Sequence, residues 1–105
     1  MNNVCQFCRY THKVTVPTIH MNGTAAKDLR EGLQRAVDAF YEAQHRLVVA
    51  APNGRDYYVA PGAMETVMEQ HERRCLDVNR VLHELEEMLE HVVAVMYFNE
   101  QRRAG

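Results

Sequence analysis

The sequence contains no serine, which excludes enzymes that depend on a serine nucleophile. No apolar run is long enough to span a bilayer, and the first ten residues lack the basic and apolar segments of a secretion signal. The formal net charge of -2 provides no basic field for coating nucleic acid. No other catalytic set stands out. We therefore predict a non-catalytic protein of the bacterial cytoplasm, with neither a membrane nor a nucleic acid as its partner.

Cysteine is scarce, and its count of three is odd. Cys5 and Cys8 form a C-x-x-C pair, whereas Cys75 stands alone, so free thiols in a reducing compartment fit better than disulfides. A C-x-x-C pair is half of a zinc site, which His12 and His20 or the cysteines of a second copy would complete. A second C-x-x-C or H-x-x-x-H is absent, and incidental thiols are the alternative interpretation. We assign no metal and no cofactor.

The chain is long enough for one domain, since it has 105 residues of which 47% are hydrophobic. Residues 1–21 show no helical period. Val14 and Ile19 instead indicate a short extended segment, and Pro17 restricts any strand there to a sheet edge. The remaining residues, 22–105, have the pattern of a helical hairpin.

The first predicted helix covers about residues 24–51. Asn22-Gly23 indicates a turn before it, and Thr24 has the side chain of a good N-cap. Apolar residues recur at alternating steps of three and four, which is the heptad seam of a helix that packs along its whole length. The seam consists of Ala26, Leu29, Leu33, Ala36, Phe40, Ala43, Leu47 and Ala50.

The second predicted helix covers about residues 63–101, after a connection over residues 52–62 that is rich in proline and glycine. Its seam shows the same alternation of steps. That seam consists of Met64, Met68, His71, Cys75, Val78, Leu82, Leu85, Leu89, Val92 and Met96. A second apolar row beside it consists of Val67, Val81, Met88 and Val95. The apolar face is thus wider than a two-helix seam needs.

Two long helices with a short connection predict an all-α fold, a long antiparallel helical hairpin preceded by a short extended N-terminal segment. A two-helix hairpin buries each helix on one side only, so the second apolar row and the tail at residues 92–98 should stay exposed. Packing against further copies would bury them, and we predict a homo-oligomeric bundle, a dimer or larger. The alternative is a monomer whose N-terminal segment folds over the hairpin.

The connection holds the first candidate binding site, which consists of Asn53, Arg55, Asp56, Tyr57 and Tyr58. The guanidinium of Arg55 suits phosphate or carboxylate, and the tyrosine rings offer stacking faces. Asn53 and Asp56 carry amide and carboxylate groups that recognise base or sugar edges. The alternative is a stable turn in which Asp56 bonds the backbone and the tyrosines pack on the hairpin end.

The second candidate is the turn before the first helix, formed by His20, Asn22, Gly23 and Thr24. Free amides at a helix N-terminus attract anions, and glycine permits their close approach. A plain N-cap is the alternative, since the G-K-[ST] ending of a phosphate-binding loop is missing. In a hairpin this turn and the loop lie at opposite ends of the first helix, roughly 40 Å apart. A shared site must therefore lie between two subunits packed antiparallel.

Histidines and glutamates of the second helix are a third candidate, for metal binding or catalysis. Glu87-x-x-Glu90-His91 is similar to the Glu-x-x-His pattern of di-iron bundles, but these residues flank the apolar seam. We interpret them as a solvated charged face. Cys75 has His71 one turn away, and because both occupy core positions of the heptad we interpret them as packing residues rather than as a catalytic pair.

The segments VTVPTIHMNGT, before the first helix, and APNGRDYY, after it, resemble small uncharacterised proteins of tailed phages and prophages. Phage proteins of this size include helical-hairpin oligomers that act as sponges and sequester the cyclic nucleotides of bacterial immune systems. These sponges place arginine, asparagine and tyrosine around the ligand in pockets between subunits. The resemblance implies a phage-encoded counter-defence protein that sequesters a nucleotide-like ligand. The C-x-x-C pair at the start is a departure from that pattern.

Two other functions fit the same sequence. One is a protein–protein adaptor or inhibitor of a host or phage protein, with the tail at residues 92–98 as its contact surface. The other is a zinc-containing nucleic-acid regulator that uses Cys5 and Cys8. Uptake of a nucleotide would favour the sponge, whereas stoichiometric zinc would favour the regulator.

Overall fold

Two long helices dominate the computed structural model of the protein, which describes residues 13–104. α1 spans Ala26–Val49, a 3₁₀ turn spans Gly54–Asp56, and α2 spans Ala63–Ala104. Residues 13–20 run without regular secondary structure, and the described part of the chain contains no strand. The predicted all-α fold of a helical hairpin is confirmed for this part of the chain.

α1 begins two residues later than predicted. Ala25 is the residue before the helix, with φ -59° and ψ 142°, and no side chain caps the free amides of the first turn. The prediction that Thr24 is the N-cap is therefore wrong. Its hydroxyl lies one position too early in the chain to reach the amides that an N-cap side chain normally accepts from.

Proline and glycine set the other helix ends. Pro52 favours an extended backbone at Ala51, and α1 ends at Val49 shortly before it. Gly62 adopts φ 77°, a left-handed conformation that glycine tolerates, immediately before α2 begins at Ala63. α2 thus starts at the predicted residue, and it continues three residues beyond the predicted end.

Two side-chain hydrogen bonds fix the register of the hairpin. Tyr41 Oη on α1 donates to Glu86 Oε2 on α2 at 2.6 Å, and Gln44 Nε2 donates to Asn79 Oδ1 at 2.7 Å. From the first pair to the second, the residue number rises from 41 to 44 on α1 and falls from 86 to 79 on α2. The two helices therefore run antiparallel, as predicted.

α2 begins well before it meets α1. Val48, near the end of α1, lines one hollow together with Cys75, which lies more than three turns into α2. Residues 63–73 of α2 thus extend about 16 Å beyond the end of α1. The connecting segment runs alongside this extension to reach the start of α2, and Tyr57 and Pro61 line a groove with the first turns of α2.

The fully buried core of the described residues is small and consists of Val37, Leu82 and Val92. Leu82 and Val92 belong to the predicted seam of α2, but Val37 lies outside the predicted seam of α1. The predicted seam residues that lie within α1 are all half-buried, so the face of α1 that meets α2 is the predicted one, widened by Val37 and Gln44. Ala50, the last predicted seam residue, lies beyond the end of α1 and is exposed. Met68 was predicted in the seam of α2 and is 46% exposed, because it lies in the part of α2 beyond α1.

The exposed apolar surface is smaller than predicted. Val92 is fully buried instead of exposed. The second apolar row is half-buried and consists of Val67, Val81, Met88 and Val95. Val93, Tyr97 and Phe98 are exposed, as predicted for the tail. Part of the surface that was assigned to a second copy is therefore already covered within one chain.

The hairpin is a rod of 68 × 31 × 23 Å. Its radius of gyration is 19.1 Å, whereas a compact chain of this length has about 13 Å. An elongated shape leaves more surface per residue exposed to water, which accounts for the small core. Neither described helix contains a segment that is both long and apolar enough to cross a bilayer.

Candidate functional site

The nine predicted binding residues lie in two groups, one before α1 and one after it. Four of them are in the turn at residues 20–24, and five are in the loop at residues 53–58. α1 has 24 residues and is therefore about 36 Å long. The two groups lie at its opposite ends, so they do not form one site within a single chain.

The turn before α1 is held by its own backbone. The Gly23 amide donates to the His20 carbonyl at 3.1 Å. A Cβ at Gly23 would lie 2.8 Å from Nε2 of the His20 ring, a contact that this exposed side chain can relieve by turning away. Asn22 and Thr24 are also exposed. The hydrogen bond thus makes a close turn whose side chains face solvent.

In the loop after α1, one of the predicted binding residues, Asn53, makes hydrogen bonds that stabilise the loop itself. Asn53 Oδ1 accepts a hydrogen bond from the Arg55 amide at 2.9 Å and so caps the 3₁₀ turn. The Asp56 amide donates to the Asn53 carbonyl at 3.0 Å. Arg55, Asp56 and Tyr58 are exposed, and Tyr58 is 79% exposed. These three side chains point to solvent without a common ligand position.

Tyr57 is the exception, because it is half-buried and lines a groove between the loop and the first turns of α2. The groove has a volume of about 610 Å³. We call it the loop groove, and it is lined by Tyr57, Pro61, Gly62, Ala63, Thr66, Val67, Gln70 and Arg74. Of the nine predicted residues, Tyr57 alone lines it.

The sequence interpretation missed the α2 side of the loop groove. Thr66, Gln70 and Arg74 lie at steps of four along α2 and therefore share one face of the helix. The signal that could have revealed them is the length of the connection. A connection longer than a tight turn allows one helix to extend beyond the other, and the connection then runs along the extended helix and contacts it.

The loop groove contains groups for recognising a planar anion. Tyr57 offers an aromatic ring, and the guanidinium of Arg74 can bond two oxygens of a phosphate or carboxylate. Gln70 adds an amide, and Val67 adds an apolar wall. The Thr66 hydroxyl donates to the Gly62 carbonyl at 3.3 Å and keeps its lone pairs for a further partner.

A second groove runs between α1 and α2 on one side of the rod. It consists of two hollows, each of about 420 Å³, and Tyr41 lines both. The hollow toward the loop contains His45 and Val48, and the other contains Asp38 and Val93. We call the two hollows together the Tyr41 groove.

Glu86 determines the chemistry of Tyr41. It accepts the phenol hydrogen bond and carries a negative charge close to it, and both effects raise the pKa of Tyr41, with a smaller contribution from burial. The other carboxylate oxygen of Glu86 lies 3.4 Å from His83 Nδ1. Tyr41 therefore stays protonated at physiological pH and acts as a hydrogen-bond donor rather than as a base.

The remaining candidates for metal or thiol chemistry yield no site. His71 Nε2 lies 3.6 Å from Cys75 Sγ, and both residues are half-buried. Across residues 13–104, no three metal-binding side chains converge on one point. Glu84 of the acidic stretch pairs with Arg80 at 3.1 Å, as a solvated helix face would. The predicted Cys5 and Cys8 pair lies outside the described residues.

Comparison with known proteins finds no relative of this chain. No protein-family model, no curated protein and no solved structure matches it.

Proposed function

We propose that the protein is a non-catalytic binding protein that works as a homo-oligomer of helical hairpins. One observation carries this proposal: the described residues bury only three hydrophobic side chains fully, while large apolar side chains remain exposed along the helices and the loop. Those on the hairpin are Tyr41, Val48, Val49, Tyr58, Val59, Met68, Val93, Tyr97 and Phe98. Exposed apolar surface on this scale is typical of an interface.

The exposed apolar residues of the two helices lie toward both ends of the rod. Val48 is near the loop end of α1, and Val93 and Tyr97 are toward the other end of the rod. Two rods packed side by side in opposite directions place the loop end of one copy beside the far end of the other. Val48 of one copy then lies toward Val93 of the other, and a two-fold axis relates the copies.

Sedimentation velocity of the purified full chain tests the proposal. Between about 1 and 100 μM, we expect the sedimentation coefficient to report a dimer or a larger assembly, since closed homo-oligomers are the common arrangement. A hydrophobic interface should persist at high salt, which screens surface charges but not apolar contacts. A well-folded protein that stays monomeric over this range would contradict the proposal.

The loop groove is the candidate site for a ligand of this assembly. Its tyrosine ring and the guanidinium of Arg74 suit a nucleotide-like anion, which is the class of ligand predicted from the sequence. Both Arg55 and Arg74 are exposed, but Arg74 lines the groove and Arg55 does not, so Arg55 is then secondary to Arg74. A role against host defence, which the phage resemblance implies, stays a prediction.

Thermal-shift measurements with mono-, di- and cyclic nucleotides test the ligand. We expect stabilisation by at least one nucleotide, lost in Tyr57→Ala and in Arg74→Gln. Arg55→Gln is the matched control, because it removes the same charge from the exposed part of the loop. If Arg55→Gln abolishes the shift and Arg74→Gln does not, the ligand binds outside the loop groove.

A further inference from the structure

We infer that the Tyr41 groove is the surface through which two copies pack, antiparallel, about a two-fold axis that passes close to Tyr41. The inference rests on the proposed homo-oligomer and names its interface. Its starting point is the position of Tyr41 between two hollows of the same volume, about 420 Å³ each. A two-fold axis there exchanges the hollows between the copies.

The apolar residues of the groove are arranged as such an axis requires. Val48 lies seven residues after Tyr41 on α1, about 10 Å along the helix. Val93 lines the opposite hollow beside Gln34, seven residues before Tyr41. Rotation by 180° about an axis through Tyr41 therefore brings Val93 of one copy level with Val48 of the other along the rod. Both valines are exposed in the single chain, at 45% and 69%.

The carboxylates of the groove also favour this axis over parallel packing. The hollow with Val93 is lined by three carboxylates, from Asp38, Glu86 and Glu90, and by no lysine or arginine among the described residues. The hollow with Val48 is lined by His45 and no carboxylate within the same part of the chain. The two-fold axis thus places the acidic hollow of one copy opposite the hollow of the other copy that contains His45 and the amide side chains. Parallel packing would instead place the two acidic hollows opposite each other.

The available area is sufficient for a stable dimer. α1 is about 36 Å long, and two packed helices present a face about 20 Å wide. The face is therefore roughly 700 Å² per copy, compared with about 800 Å² per partner in a stable interface. A helix of an unrelated protein would cover only part of this width, so a second hairpin is the better fit.

The same axis bears on the ligand site. With its centre near Tyr41, it brings the turn at residues 20–24 of one copy level with the loop at residues 53–58 of the other, along the rod. The two groups of predicted binding residues, which are separated within one chain, then lie at the same height.

Complementation between two variants tests the interface. Val93→Lys and Val48→Glu each replace an apolar contact with a charge at both ends of the interface, so each variant alone should dissociate about tenfold more readily or further. In a mixture, the heterodimer has one native valine pair and one lysine–glutamate pair. We expect the mixture to recover dimer by sedimentation equilibrium, with two copies of different variants in each dimer.

Phe98→Lys and Val59→Glu are the matched controls, because they introduce the same charges at exposed apolar residues outside the Tyr41 groove. We expect both to dimerise like the unsubstituted chain. If the unsubstituted chain is monomeric, the proposed oligomer itself is wrong. If the unsubstituted chain and both variants, Val93→Lys and Val48→Glu, all associate, the oligomer uses another surface and this inference is wrong. The inference is also wrong if each variant dissociates and the mixture of the two stays dissociated.

Discussion

The Tyr41 hydroxyl donates a hydrogen bond of 2.6 Å to Glu86 across the α1–α2 interface, although the two residues are 45 positions apart in the chain. This bond joins the two helices at the middle of the face that we assign to the dimer. Because Tyr41 is half exposed, the bond stays accessible to water and to pH.

The phenol of Tyr41 should titrate above its ordinary value of 10.0, since the Glu86 carboxylate raises its pKa. A group whose pKa is raised by folding stabilises the fold below its unfolded pKa, and that contribution disappears as the pH rises through the folded pKa. We therefore expect Tyr41→Phe to lower the melting temperature near neutral pH and to lose this difference in strong alkali. Ultraviolet absorbance of the phenolate, compared between the unsubstituted chain and Tyr41→Phe, isolates this tyrosine.

Glu86→Gln is the control for that titration, because it removes the charge while it keeps an acceptor for the phenol. We expect the pKa of Tyr41 to move back toward 10.0 in this variant. An unchanged titration of Tyr41 in Glu86→Gln would show that Glu86 is not the cause of the shift.

The hydrogen bond between Gln44 and Asn79 lies between half-buried side chains, and its loss should depend on which partner is removed. Gln44→Leu or Asn79→Leu alone leaves the other amide without its partner and should cost about 1–3 kcal/mol. The double substitution should cost less than the sum of the two, because no unpaired amide remains. Urea unfolding of the four proteins measures the coupling. Additive losses would mean that the amides contribute independently.

Val92 and Val93 are neighbours in α2 with opposite environments, fully buried and 45% exposed. Val92→Ala should lower the free energy of unfolding by about 2 kcal/mol, because it removes buried methyl groups and leaves a cavity. Val93→Ala should change it by no more than about 0.5 kcal/mol in dilute protein. Urea unfolding at low protein concentration compares the two, and similar losses would be evidence against the described packing of α2.

Gly62 and Gly32 should respond in opposite ways to alanine. Gly62 has φ 77°, where a Cβ is strained, so Gly62→Ala should destabilise the protein by about 1–2 kcal/mol. Gly32 lies inside α1 with open space around it, so Gly32→Ala should stabilise the helix by about 1 kcal/mol. Thermal unfolding measures both signs. A stabilising Gly62→Ala would mean that α2 begins elsewhere.

The sequence was sufficient for the helices and their antiparallel order, because proline and glycine mark the connection and the apolar period is helical. It was not sufficient for the register. A heptad pattern identifies a face of each helix but not how far one helix slides along the other, so the extension of α2 beyond α1 was missed. The same extension explains why Met68 is not in the core.

The candidate site was less predictable than the fold. The residue types in the loop suggested ligand recognition, yet Asn53 serves as a cap and Arg55 points to solvent. Whether a loop side chain points toward a helix depends on the path of the connecting segment. The spacing of apolar residues in the sequence does not predict that path. Tyr57 and Arg74 therefore meet in the loop groove for a reason that lies in the register of the helices.

The stagger between the helices divides α2 into parts with unequal support. Turns beside α1 share its packing, whereas residues 63–73 extend beyond α1 and contact the connecting segment. Amide hydrogens of this first part should exchange with solvent faster than those around Leu82, through local opening that leaves the rest folded. Occupation of the loop groove would slow that opening. The stagger thus makes the order of the start of α2 sensitive to what the loop groove binds.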